Sequence, residues 1–165
     1  EDTKTKNDQP ELTDILTSAL VKTDVECDNW KEAVKKSGKL LFEKGAVTKS
    51  YITNMIKNIE KRGPYVVITP GVALVHAAPD EGVKEIGISL ITLKNPVKFN
   101  HSQNDPVKIV VAFASPNKNK HVKALTNLID KLYNKKFMKK IISTEDNKEI
   151  VDLITNYEEG YNEKD

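Results

Sequence analysis

The sequence predicts an α/β fold, a three-layer sandwich in which helices cover both faces of a mixed central β-sheet. Apolar residues recur at helical spacing before residue 63 and again after residue 117. Between these segments, short runs rich in Val and Ile are separated by Gly, Pro and Asn, which is typical of strands and turns. The two strongest strand signals, 86–93 and 107–114, are partly apolar on both faces, as a sheet covered on both sides requires.

The first ten residues carry mixed charges and contain no Val, Ile, Leu or aromatic side chain. Such a segment buries too little apolar surface to offset its ordering entropy, so we expect a flexible tail at 1–10. A length of 165 residues suits one core, and we expect 11–165 to form a single domain. Helical spacing then relates Leu12, Ile15, Leu16 and Leu20, and the alternation at 21–26 is a weak strand signal.

Two amphipathic helices are predicted next. Asp28 can cap the first and Gly45 ends it; Thr48 or Ser50 can cap the second, which ends at Gly63-Pro64. The first apolar stripe is Trp30, Ala33, Val34, Ser37, Leu40 and Leu41, and the second is Ile52, Met55, Ile56 and Ile59. We expect the two helices to pack against each other across a short turn.

Four strands and three helices are predicted for the remainder. The strands are expected at 65–69, 72–76, 86–93 and 107–114, with polar loops at 79–82 and 100–106. The helices are marked by Val122, Leu125, Leu128, Ile129 and Leu132, then by 137–142, and last by Ile150, Val151, Leu153, Ile154 and Tyr157.

The composition argues against several classes of function. The 26 Lys and Arg nearly balance the 24 Asp and Glu, whereas nucleic-acid binding requires a concentrated basic face. We therefore interpret the Lys-rich segments 118–123 and 135–140 as solvated faces. Apolar runs fall short of the roughly 20 residues of a membrane span and the opening residues show no secretory signal, so we expect a cytoplasmic protein without membrane insertion. A single cysteine, Cys27, excludes an internal disulfide and a Cys-rich zinc site and suits a reducing compartment.

Histidine offers the most reactive chemistry in this chain. His101 lies in a polar loop and is expected to be a solvated surface residue, whereas His121 lies on the border of a helical stripe, where a packing role is the simplest interpretation. His76 ends the apolar run 70–75 and begins a turn. At that place we expect an imidazole that is half-buried with one ring edge open.

An imidazole of this kind is suited to attack phosphorus, since its neutral form dominates at pH 7 given an ordinary pKa of about 6.5. Phosphoryl transfer requires positioning and charge stabilisation, which backbone N–H groups at Ala77 and Ala78, a second imidazole or a helix N-terminus could supply. From the residues alone, a purely structural His76 remains the alternative. A three-histidine zinc site, a Cys27–His pair and a nucleotide loop are disfavoured because their spacing motifs are missing.

The segment 63–83 (GPYVVITPGVALVHAAPDEGV) resembles the active-site signature of enzyme IIA proteins of the sugar phosphotransferase system. It is most similar to the ascorbate-like branch of the mannitol/fructose superfamily (type 2). Further matches are 89–96, 99–101 and 104–107, and the similarity extends from about Leu12 to Tyr157. The resemblance implies the mannitol/fructose-type enzyme IIA fold.

The resemblance also implies a relay. His76 would accept a phosphoryl group from phospho-HPr on the ring nitrogen remote from the backbone and pass it to a cysteine of the cognate enzyme IIB. Enzyme IIB would then phosphorylate a sugar that enters through the membrane enzyme IIC. The branch name suggests an ascorbate-like substrate. His121 matches the second active-site histidine, which donates a hydrogen bond to the phosphoryl group. This chemistry uses no cofactor, metal or nucleotide.

The chain departs from the family pattern around the histidine. The family usually has Pro before it and Gly-Arg or Ala-Arg after it, where this chain has Val75, Ala77 and Ala78. Asn58 falls near the place of an arginine that the mannitol branch carries before its active site. Two other hypotheses remain open: a regulatory module phosphorylated on His76, and a degenerate carrier that uses the fold only for binding.

Overall fold

The computed structural model describes residues 10–117 and 123–156, and within them five strands form one mixed sheet in the order β1-β4-β5-β3-β2. β1 pairs with β4, and β3 with β5, in parallel, whereas β4 pairs with β5, and β2 with β3, in antiparallel fashion. The strands are β1 (Val21–Val25), β2 (Val67–Thr69), β3 (Val72–Val75), β4 (Gly87–Val97) and β5 (Val107–Ala114). The predicted mixed sheet is confirmed.

Helices flank this sheet on both faces. They are α1 (Leu12–Ile15), α2 (Trp30–Lys44), α3 (Lys49–Arg62), α4 (Lys123–Leu132), α5 (Lys135–Ser143) and α6 (Asn147–Thr155). In addition, short 3-10 helices span Ser18–Leu20 and Pro79–Glu81. The N-terminal helix is therefore shorter than its apolar spacing predicts, because the chain leaves the α conformation at Leu16.

The central strand β4 shows why two helical layers are needed. Its residues Ser89 and Ile91, which point to one face, and Ile88 and Leu90, which point to the other, are all fully buried. α2 covers the first face, where Ser89 Oγ donates a hydrogen bond of 2.8 Å to the Ser37 carbonyl. α5 contacts β4 and α6 contacts β1. The three-layer prediction is confirmed.

Several predicted boundaries change. β2 begins at Val67 rather than at Tyr65, and β4 continues beyond Leu93 to Val97, whereas β5 has the predicted bounds. The last apolar stripe also narrows, since Ile150 and Ile154 are buried in α6 while Val151 and Leu153 are only partly covered. The predicted tail at 1–10 lies outside the described residues except for Pro10, so the single-domain assignment of 11–165 stays a prediction.

The Lys-rich helix α5 agrees with its interpretation as a solvated face. Its four lysines, Lys135, Lys136, Lys139 and Lys140, are exposed, whereas Phe137 and Ile141 on the opposite side are buried. Across the described ranges, none of the helices has the length and apolar character that a membrane crossing requires.

The N-cap of α2 is one residue later than predicted. Asn29 Oδ1, not the Asp28 carboxylate, accepts the Glu32 backbone N–H at 2.9 Å. The backbone N–H of Asp28, the residue before the cap, donates to the Glu32 carboxylate at 2.6 Å, which adds a second hydrogen bond at this helix start.

We expect Asn29→Ala to lower the free energy of unfolding by about 1 kcal/mol, since it leaves an N-terminal amide of α2 without its side-chain acceptor. Asp28→Ala is the matched control and should cost clearly less, because it keeps that acceptor. Urea denaturation of both variants measures the difference. Equal costs would contradict the assignment of the cap to Asn29.

Candidate active site

The parallel pairing of β3 with β5 creates the site. Val75 pairs with Ala112, so the carboxyl ends of the two strands meet at one edge of the sheet. His76 follows β3 directly, while Ser115 and Asn117 follow β5. The crevice outside the carboxyl ends of neighbouring parallel strands is where open α/β sheets bind ligands.

A cleft of about 570 Å³ opens at this edge. Its lining residues come from α3 and the loop after it, the loop after β3, and the end of β5 with the residues that follow: Asn58, Arg62, Tyr65, His76, Ala77, Ala78, Pro79, Asp80, Glu81, Phe113, Ser115 and Asn117. Among these, Arg62 is the only arginine of the whole chain. The imidazole predicted to be reactive therefore lies beside a permanent positive charge.

One face of α3 forms the support of the cleft. Tyr51, Asn54, Asn58 and Arg62 follow one another at spacings of three or four residues, which places them along one side of the helix. Tyr51 is fully buried at the start of this row, and Arg62 is exposed at its end. The helix thus supplies a buried anchor and an exposed charge to the same site.

Hydrogen bonds from α3 fix the loop at 76–82. The Tyr51 hydroxyl accepts the Ala77 N–H at 2.9 Å and donates to the Phe113 carbonyl at 2.7 Å, with the Ala77 carbonyl 3.2 Å away. Asn54 Nδ2 donates to the Glu81 carbonyl at 3.2 Å. Burial raises the pKa of Tyr51 to about 12, so its phenol stays protonated throughout the physiological range.

The backbone donors predicted to receive phosphoryl oxygens are already used. The Ala77 N–H donates to Tyr51, and the Ala78 N–H donates to Glu81 Oε1 at 2.8 Å. That expectation is therefore wrong for this conformation, because the loop closes on its own acceptors. Side chains that can donate hydrogen bonds also line the cleft, among them those of Asn58, Arg62 and Ser115.

His76 is half-buried, with its two ring nitrogens in different surroundings. Nδ1 is fully buried. Among the buried side-chain nitrogen and oxygen atoms of the described ranges, it is the one without a hydrogen-bond partner. The ring lines the cleft, and the Tyr65 ring meets it edge-on with centroids 6.4 Å apart and planes at 88°. Because Nδ1 faces the protein, Nε2 is the nitrogen available for chemistry.

The charge state of His76 follows from this burial. Burial lowers the pKa of His76 below 6.5, the Leu74 carbonyl partly opposes that effect, and the Arg62 charge lowers the pKa further. The lowered pKa favours the neutral imidazole at pH 7, in which one ring nitrogen keeps its lone pair. This is the state that the sequence predicted for a nucleophile toward phosphorus.

His101 does not belong to this site. It lies before the start of β5, at the end of the sheet opposite His76. Contrary to the expected solvated residue, it is half-buried and its Nδ1 accepts the backbone N–H groups of Gln103 and Asn104 at 3.1 and 3.0 Å. Its role is to brace the loop together with Asp105, whose carboxylate accepts three backbone N–H groups.

Of the other two candidate residues, one does not line the cleft and one lies outside the described residues. His121, the predicted second active-site histidine, lies outside the described residues, as do its neighbours at 118–122. Cys27 is half-buried before α2, and burial raises the pKa of its thiol. It is not among the residues that line the His76 cleft.

Arg62 is the residue that the sequence analysis missed. The resemblance drew attention to Asn58, and the structure places Arg62 one helical turn further along the same face. The signal that could have found it is its uniqueness among 26 basic residues, immediately before the Gly63-Pro64 stop. Long side chains at a helix end are hard to assign from sequence because their direction depends on how the helix packs.

Comparison with known proteins gives a consistent family. Residues 14–157 match the model described as phosphoenolpyruvate-dependent sugar phosphotransferase system, EIIA 2. A relative from Escherichia coli strain K12, the ascorbate-specific PTS system EIIA component, is 35% identical over 135 residues that cover 81% of this chain and 88% of the relative.

Two solved structures share the fold. The mannitol-specific cryptic phosphotransferase enzyme IIA of Escherichia coli has a TM-score of 0.79 at 24% identity and matches 90% of this chain and 100% of its own. Enzyme IIA in the Escherichia coli complex of enzyme IIAMtl and phosphorylated enzyme IIBMtl has a TM-score of 0.74 at 18% identity, covering 87% and 100% of the two chains. At these identities the likeness concerns the fold.

Fold and site define an α/β domain with a neutral histidine in a cleft at the carboxyl ends of parallel strands. The chain belongs to the enzyme IIA family, type 2, of the phosphoenolpyruvate-dependent sugar phosphotransferase system. It is therefore a component of a sugar-transporting phosphotransferase system.

We expect NMR titration of the His76 ring to give a midpoint below 6.5, and Arg62→Gln to raise that midpoint, since the variant removes a charge that disfavours the imidazolium. Lys61→Gln is the matched control, because it removes one positive charge from an exposed neighbour that does not line the cleft. An unchanged midpoint in Arg62→Gln would show that the guanidinium does not act on the ring.

Gly82 has no room for a side chain at the end of the loop. Its φ is +126°, and an added Cβ would overlap Thr48 Oγ1 and lie 3.0 Å from Tyr51 Cβ. We expect Gly82→Ala to lower the free energy of unfolding by roughly 2–4 kcal/mol. Gly45→Ala, also at positive φ (+90°) but with nothing within 4 Å, should cost only about 1–2 kcal/mol in the same denaturation experiment.

Proposed function

We propose that this chain is a phosphocarrier that accepts a phosphoryl group on Nε2 of His76 from phospho-HPr and transfers it to a cysteine of its cognate enzyme IIB. The observation that carries the proposal is the neutral, half-buried imidazole whose Nδ1 is buried while the ring lines an open cleft beside Arg62. Membership of the enzyme IIA family supports it.

The first transfer balances as a displacement at phosphorus. The Nε2 lone pair of His76 forms the new bond while the bond from phosphorus to the HPr histidine breaks, and the departing imidazole keeps that electron pair and takes up a proton. For Nε2 to hold a lone pair, the proton of neutral His76 must reside on Nδ1. This proton leaves when the phosphorylated ring returns to its neutral form.

The second transfer reverses the roles. The thiolate of enzyme IIB attacks phosphorus, the bond to Nε2 breaks, and the His76 ring regains a proton and becomes neutral again. The solved complex of mannitol enzyme IIA with phosphorylated enzyme IIB supports a IIB partner for a chain of this fold. The reaction written in this way needs no metal, nucleotide or other cofactor.

Arg62 supplies the charge that this site needs. A phosphoryl group carries about −1.5 to −2 charge at neutral pH, and Asp80 and Glu81 in the same cleft oppose its approach. The guanidinium offsets that repulsion and can donate planar paired hydrogen bonds to phosphate oxygens. We assign to His121 the further hydrogen bond that the family resemblance implies.

The transported substrate is proposed from the relatives. The Escherichia coli relative is described as ascorbate-specific, so we assign this chain to a route for ascorbate or a similar sugar acid. Such a route places the carrier in the cytoplasm, where it meets HPr and the cytoplasmic IIB domain that serves the membrane enzyme IIC.

Incubation with phosphoenolpyruvate, enzyme I and HPr should add one acid-labile phosphoryl group to the protein and none to His76→Gln. His121→Gln should be labelled roughly 10- to 100-fold more slowly, which corresponds to the loss of one hydrogen bond to a charged group. Labelling rates are read by quenched-flow and intact-protein mass spectrometry.

His101→Asn is the matched histidine control, because its amide oxygen can replace Nδ1 as the acceptor in the loop, and it should be labelled at the wild-type rate. Unlabelled wild-type protein, or normal labelling of His76→Gln, would refute the carrier. Onward transfer to an ascorbate-type enzyme IIB but not to a mannitol-type one would support the substrate assignment, and the opposite preference would overturn it.

A further inference from the structure

We propose that Tyr51 is a positioning residue for phosphoryl transfer: its phenol holds the peptide that follows His76 and so fixes the direction in which the imidazole enters the cleft. This inference rests on the proposed function. It assigns a role in transfer to a residue that is not among those lining the cleft.

The first step of the argument concerns the backbone of His76. On its N-terminal side, Val75 is paired with Ala112 in the parallel ladder. On its C-terminal side, the Ala77 N–H donates to the Tyr51 hydroxyl at 2.9 Å. That N–H shares a rigid peptide plane with the His76 carbonyl, so the backbone is held on both sides of the histidine.

The second step concerns what holds Tyr51. Its hydroxyl has one proton, which goes to the Phe113 carbonyl at 2.7 Å, the shorter of its two contacts with a carbonyl. Phe113 lies near the end of β5, the strand that also pairs with β3. One hydroxyl therefore joins α3, the loop after β3 and the end of β5.

The third step is that the contact is rigid. The Tyr51 ring is fully buried, and Gly82 packs so closely against its Cβ and backbone that an added methyl group would not fit. A ring enclosed in this way has little freedom to follow a moving loop, so the loop follows the ring. The family's proline before the histidine is Val75 here, and the Tyr51 contact restricts the backbone from the other side.

The arrangement suits the chemistry because transfer depends on alignment. Displacement at phosphorus needs the attacking nitrogen, phosphorus and leaving nitrogen nearly in line. Misplacement of a reacting group by about 1 Å can cost roughly 100-fold in rate. A fixed peptide after His76 limits such displacement without placing a charged group near the phosphoryl oxygens.

The test compares Tyr51→Phe with Thr92→Val in the full chain. Thr92 is also a buried residue, 1% exposed, and its hydroxyl accepts the Asp24 N–H at 3.0 Å on the side of the sheet remote from His76. Both variants lose one buried hydroxyl that accepts a backbone amide. Urea denaturation establishes how far each is destabilised before the transfer rates are compared.

We expect Tyr51→Phe to lower the maximal rate of phosphorylation by HPr roughly 10- to 100-fold with little change in the HPr concentration at half-maximal rate. Thr92→Val should keep the wild-type rate. In Tyr51→Phe the Ala77 amide proton should also shift upfield and exchange faster with solvent. A wild-type rate in Tyr51→Phe, or equal rate losses in the two variants, would overturn the positioning role.

Two measurements on the wild-type protein make the result independent of how well the variant folds. The Ala77 amide should be strongly protected from hydrogen exchange although its loop borders an open cleft, and an unprotected amide would overturn the proposal. If wild-type protein is not labelled by HPr, the carrier function fails. In that case a protected Ala77 amide would still establish the contact with Tyr51. The two measurements therefore distinguish failure of the carrier function from failure of the contact.

Discussion

The parallel pairing of β3 with β5 is the constraint on which the site depends. β3 has only four residues, yet it lies between β5 and β2 and is buried at three of its four positions. Its register with β5 brings His76 next to Phe113, a residue 37 positions away in sequence. A cleft at this edge arises because both strands end there and their following loops diverge.

Helix α3 supplies two different groups to that edge from the two ends of one face. The buried end carries the Tyr51 phenol and fixes backbone, while the exposed end carries Arg62 and supplies charge. The carbonyl groups that end a helix present partial negative charge, which would repel an anion at the cleft. An arginine in the last turn offsets that charge and also stabilises the helix end.

Burial lowers the pKa of His76, which is the direction that the proposed phosphoryl transfer requires. A solvated imidazole would be partly protonated near pH 6.5, whereas the desolvated ring beside Arg62 favours the neutral form, which has a free lone pair. The same burial leaves Nδ1 facing the protein, so the proposed use of Nε2 agrees with the packing of the ring. The lowered pKa also makes stability depend on pH. As pH falls below 6.5, His76 binds a proton more readily in the unfolded chain than in the folded one, so the free energy of unfolding decreases.

The sequence by itself determined the order of elements and the family resemblance, and it identified His76 as the candidate reactive residue. These features are local: apolar periodicity reports which face is buried, and the motif at 63–83 is contiguous. The sequence did not decide which of two adjacent polar residues caps α2, and the structure shows that the cap is Asn29 rather than Asp28. His101 likewise stabilises its own loop, because the backbone N–H groups that its Nδ1 accepts belong to residues two and three positions further along.

Only the tertiary structure decided what surrounds the histidine. Tyr51 bonds the loop after β3 and the end of β5, and Arg62 lines the cleft, because of the way α3 packs beside these strands. Neither the helix spacing nor the composition predicts that packing. The structure also showed that the Ala77 and Ala78 amides are already bonded, which a sequence pattern has no means of reporting. Periodicity fixes which side of an element is buried, but the contacts between distant elements depend on packing angles and register, and these determine the site.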